Sequence, residues 1–267
     1  MSSKLLQHSS APGHLQFNPF VLTGYRSPAS VITCVRSLLY VHNETGNIYS
    51  HAIAFFLFLV ILPSSLPWGS LPGLSANHLV ACLAPPLTSV IYHLFMAHKG
   101  GQSVYSWLLA LDLCGISAIT TFGALPIILY SFRCHSWLQL SMSTVHMVLS
   151  LATLPRALLA PTSYSRMGSF AGQGFLRAVC YAWRMADDHP HDSALSHYLW
   201  MELMSVVGGL LNVLRLPERF SPGTFDFWFN SHQVKTNMGC ATSCVNEIVL
   251  WFVIPINLIV TLYVFFS

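Results

Sequence analysis

Among the ionisable side chains in or beside apolar runs, where charge is costly, His93, Asp112 and His232 converge in depth. Ser89 precedes His93 by four residues in SVIYH, so on a helix the two share one face. A hydroxyl beside an imidazole, with a carboxylate to orient or accept, can manage a water held by a metal ion. Zinc suits such a set. It takes neutral imidazoles, uses three protein ligands and one open position when catalytic, and makes its water acidic enough to attack near neutral pH. The chemistry that follows is hydrolysis of an amide or ester presented from lipid. The same residues also read as a buried polar cluster that fixes helix packing.

The composition says what must hold them. Of 267 residues, 54% are hydrophobic and only 8% charged, which excludes an ordinary water-soluble globule. Apolar runs of about 18 residues or more recur, each long enough to cross the hydrocarbon layer as a helix. The fold class expected is an all-α membrane protein, a bundle of seven transmembrane helices. Expected spans cover 47–67, 76–98, 104–131, 137–159, 167–186, 195–215 and 248–266. Pro85 and Pro86 should kink the second, and Arg177 and Arg184 should let the weakly apolar fifth snorkel to the interface. No signal peptide is read in residues 1–23, so the first span should act as its own insertion signal. The seven cysteines form no CxxC pair and read as buried free thiols.

The chain then divides into an N-terminal cytosolic or interfacial arm (1–46), a six-span bundle (47–233), a polar segment (234–247) and the last span (248–266). Cations set its orientation. With the N-terminus in the cytosol, Lys4, Arg26, Arg36, Lys99, Arg156, Arg166, Arg215, Arg219 and Lys235 lie inside, against Arg133 and Arg184 outside. That places His93 about 7 Å from the inner end of its helix, at 1.5 Å per residue, with Asp112 at similar depth.

Several long motifs carry more information than composition. GYRSPASVITCVRSLLYVHNETGNIYSH (24–51), SVIYH (89–93), Asp112 and LPERFSPGTFDFWFNSHQ (216–233) resemble the progestin and adipoQ receptor family over about 14–233. The resemblance implies a seven-helix bundle with a cytosolic N-terminus, like adiponectin receptors and alkaline ceramidases. It implies a zinc site near the inner leaflet, with His93 and His232 as ligands and Ser89 and Asp112 behind them. It implies ceramide-like sphingolipid and membrane lipids as partners, with no nucleic acid, in Golgi or other endomembranes or the plasma membrane.

The family pattern continues HQxxH, and at its third histidine this chain has Thr236. From Val234 the sequence departs from the family, as an alternative exon, a retained intron or a gene-model error would make it. Cys240 and Cys244 lie too far along to replace that histidine. Two function classes remain open: a zinc-dependent ceramide amidohydrolase, and a non-catalytic membrane receptor or scaffold. His42, Glu44 and His51 straddle the start of the first span, so HNETGNI is expected to cap that helix through Thr45 or Asn47. The sequon at Asn43 is expected to be cytosolic and unmodified. ADDHPHD (186–192) reads as a solvated outer loop. The ERF and FDFW segments read as an interfacial turn, with Arg219 at headgroups and Phe225, Phe227 and Trp228 at headgroup depth.

Overall fold

The computed structural model describes residues 5–186, 193–235 and 238. Thr236, Cys240, Cys244, the expected last span and most of the ADDHPHD loop lie outside the described residues. Nine α-helices are seen among those described: α1 Val31–Arg36, α2 Thr45–Ser65, α3 Pro72–Phe95, α4 Gly101–Phe122, α5 Ala124–Ser131, α6 Ser136–Leu159, α7 Ser163–Ser169, α8 Ala171–Ala186 and α9 Ser193–Leu214. No strand occurs among the described residues beyond two isolated bridges, Leu6 with Tyr25 and Ala29 with His98. Among the described residues, four stretches are long and apolar enough to cross a membrane: α2, α3, α4 with α5, and α6. On α2, Ile53, Phe56 and Val60 are exposed at positions i, i+3 and i+7, one apolar face turned outward as lipid requires.

The chain forms two compact units. The first takes in the described residues of Met1–Ala54, Ser89–Leu109 and Glu202–Ser267, the second those of Phe55–Thr88 and Ala110–Met201. The first unit's core joins Leu15, Val21 and Tyr25 of the arm to Tyr92, Met96 and Leu108. The N-terminal arm is therefore folded structure. Its Arg26 is buried and donates to the carbonyls of His93 and Leu94, taking up orphan acceptors at the end of α3.

In the second unit, Ile127, Ile128, Phe132, Leu138, Cys180 and Tyr181 pack together. The span 101–131 is broken at Gly123, and Pro126 has no N–H to offer the Phe122 carbonyl. Asn77 Nδ2 donates to that carbonyl at 2.9 Å, and His146 Nε2 lies 2.8 Å from the neighbouring Thr121 carbonyl. Side chains thus satisfy the break internally, as hydrocarbon demands. α3 stays helical through Pro85 and Pro86, where the Thr88 hydroxyl donates to the Ala84 and Pro85 carbonyls. Arg184 does not snorkel. It is buried, its guanidinium 5.0 Å from the Tyr130 ring centre, a cation held on an aromatic face.

Candidate functional site

His93 sits in the last turn of α3 and is fully buried. Its Nδ1 lies 2.8 Å from Glu44 Oε2, and its Nε2 lies 3.3 Å from Nε2 of His232. His51 stacks near His93, with ring centres 5.8 Å apart and planes 17° apart. Glu44, Asn47 and His51 follow each other at i, i+3 and i+7 across the start of α2, one helical face, and all three are buried. Asn47 Nδ2 donates to Glu44 Oε2 at 2.6 Å. Burial pushes the Glu44 carboxyl up, but hydrogen bonds from His93 and Asn47 outweigh it and hold the pKa at about 2.

The HNETGNI segment ties down the approach to α2 through its own hydrogen bonds. Glu44 supplies the first helical carbonyl, to Ile48 N–H. The Thr45 hydroxyl accepts the His42 N–H, and the His42 Nδ1 accepts the Glu44 N–H. The Glu44 side chain is left to reach across to His93.

His232 is placed by the block 216–233. Asn230 caps the helical stretch 231–235, its carbonyl accepting from Val234 N–H and its Oδ1 from Gln233 N–H. Both acids of the block are buried acceptors. Glu218 accepts from the backbone and hydroxyl of Ser231 and from Asn18 Nδ2. Asp226 accepts the N–H groups of Leu22 and Thr23 and the Thr23 hydroxyl. Phe227 packs on Gly24, a position with φ +85° where a Cβ would come within 2.9 Å of the ring. Phe227 therefore belongs to the contact with the arm, while Phe220 and Trp228 stay exposed. Gln233 lies against Gly46, where a Cβ would meet its carboxamide at 2.7 Å, and donates to the carbonyls of Asn43 and Phe227. A cavity of about 20 Å³ opens beside Glu44 and His232, lined also by Asn18, Asn43, Asn47, Asn230 and the apolar Phe17 and Val21, with room for one water.

The other two expected site residues are buried as well. Ser89 stands one turn before His93 on α3, and Asp112 lies on α4 in the second unit. Zinc can be tested against the donors present. Two ligands at about 2.05 Å from a tetrahedral ion stand about 3.3 Å apart, the separation of the two Nε2 atoms. The pair fits as two of zinc's protein ligands. Among the described residues no group of three His, Cys, Asp or Glu side chains converges as a metal site, so a third donor is not supplied there. Sequence reasoning assigned Glu44, Asn47 and His51 to the capping of the first span and left them out of the site. Their signal was the spacing E-x-x-N-x-x-x-H, which puts three polar groups on one face of an apolar helix.

A haemolysin-III-related family model matches residues 39–234. The chain is similar to progestin and adipoQ receptor family member 4 of Homo sapiens, 48% identical over 237 residues, 86% of each chain. Its similarity to the Mus musculus member 4 is 47% over the same length and coverage. It is 28% identical over 306 residues to heptahelical transmembrane protein 3 of Arabidopsis thaliana, covering 92% of this chain and 87% of that one.

Proposed function

The chain belongs to the haemolysin-III-related, progestin and adipoQ receptor family, and from that premise we propose a receptor-like membrane protein with a ceramidase-like zinc pocket at the cytoplasmic leaflet. It spans the membrane seven times with a cytosolic N-terminus, and it works on ceramide-like sphingolipids in metabolism or signalling. The observation that carries this reading is the His93–His232 pair, two imidazole nitrogens 3.3 Å apart in a partly buried setting. His93 and His232 would hold the ion. Zinc bound there would supply a Lewis acid for an amide carbonyl and lower the pKa of water. By the family resemblance, Ser89 would hydrogen-bond that water and Asp112 would orient it or accept from it. Exclusion of bulk water falls to the surrounding apolar helices.

A non-catalytic receptor or scaffold is favoured by one specific observation: Thr236 stands at the family's third histidine. The deciding experiment is zinc content of detergent-purified protein together with ceramide hydrolysis. Stoichiometric zinc, and hydrolysis lost in His93→Ala, is the outcome expected of the enzyme. Metal-free protein with no hydrolysis overturns the zinc reading and leaves the receptor.

A further inference from the structure

We infer that Glu44 is a positioning residue for His93: it holds the ring as the Nδ1–H tautomer and so keeps the Nε2 lone pair turned toward His232. The inference rests on the zinc reading only for what that lone pair binds. A carboxylate accepts and never donates when ionised, so at 2.8 Å the proton of this contact belongs to His93 Nδ1. In a neutral imidazole the other nitrogen is then the bare one, and that nitrogen is the atom facing His232.

The carboxylate is itself held. Asn47 donates to the same oxygen that meets His93, and the Glu44 backbone is tied to His42 through the N–H contact to its ring. His93 is fixed from behind as well, since Arg26 grips its carbonyl. Ring and backbone are thus constrained at opposite ends, which leaves Nε2 little freedom of direction. Packing alone does not call for this arrangement. A buried carboxylate gives up its hydration, and an apolar side chain would join the start of α2 to the end of α3 without that cost. An acceptor placed on the far nitrogen of a ligand histidine fixes its tautomer and raises its basicity.

The experiment is ¹⁵N NMR of histidine-labelled protein in detergent, stripped of metal by a chelator, at about pH 9, well above the ordinary imidazole pKa. The His93 signal is assigned by its loss in His93→Gln. The expected result is a protonated Nδ1 in the wild type, kept in Glu44→Gln, whose amide oxygen still accepts, and shifted toward Nε2–H in Glu44→Leu. A wild-type His93 protonated on Nε2, or a tautomer unchanged in Glu44→Leu, overturns the inference. Should Glu44→Leu fail to fold, the wild type and Glu44→Gln carry the test. Zinc competition against a chelator then separates the two ideas. Affinity should fall about 10- to 100-fold in Glu44→Leu. Zinc bound equally by wild type and Glu44→Leu overturns the positioning role and spares the zinc reading. No zinc on the wild type, with the tautomer behaving as expected, overturns the zinc reading and supports the role of Glu44.

Discussion

His42 is buried two residues before Glu44, and its Nδ1 accepts the Glu44 N–H at 3.1 Å. That nitrogen can accept only while unprotonated. Burial first, then the nearby Arg26 charge, hold its pKa at about 3, below the ordinary 6.5. The folded protein therefore refuses a proton that the unfolded chain takes up below pH 6.5. The stabilisation is complete above about 6.5 and drains away as the pH falls from there through about 3. Thermal unfolding in detergent should show a midpoint that declines over this window, with a shallower decline in His42→Asn, whose Oδ1 accepts without titrating; equal slopes would sink the assignment. At this scale the sequence was half legible. His93 and His232 stood out as histidines beside apolar runs, but the partner of Glu44 lies 49 residues away in the chain. With no visible partner, an acid at a helix start reads as part of a cap.

Helices meet closely only where side chains are small, and Gly115 on α4 is such a place. A Cβ there would stand 2.1 Å from the Thr88 hydroxyl and 3.0 Å from the Pro85 Cα on α3. The hydroxyl could turn away, but backbone cannot, so the two helices must part. Gly115→Ala should lower stability by about 1–3 kcal/mol, the usual range for overpacking a tight core. Gly13→Ala is the control, because nothing lies within 4 Å of its added Cβ. A Gly115→Ala protein that unfolds with the wild type would show that the helices are not so closely packed. The helices themselves were largely readable, to within a few residues at most ends, since apolar length sets them. Their polar contacts were not. Asn77 and His146 answer a break made by Gly123 and Pro126, and no local pattern links residues 25 to 45 positions apart. Likewise the acids of LPERFSPGTFDFW suggested an interfacial turn, because nothing in the block reveals that Asn18, Leu22 and Thr23 will meet them.

For the molecule as a whole, the proposed orientation in the bilayer rests on the distribution of cations and calls for a reporter placed in the chain. The sequon at Asn43 is unsuitable. Asn43 is buried, and the Thr45 hydroxyl that glycosylation requires is engaged with the His42 N–H. An unmodified Asn43 would be found on either side of the membrane. The connection between α5 and α6 is better placed, since Arg133 and Cys134 are exposed there. It is also the connection whose basic residue counts against the inside rule, with nine cations assigned to the cytosol and two outside. A sequon carried on a polar insertion after Arg133 should be glycosylated, while an N-terminal epitope should be removed by protease added to sealed microsomes. The reverse pattern would place the arm, and with it the His93–His232 pair, on the lumenal side. A pocket there would receive lipid from the opposite leaflet, so this measurement decides the sphingolipid face of the proposed function as well as the topology.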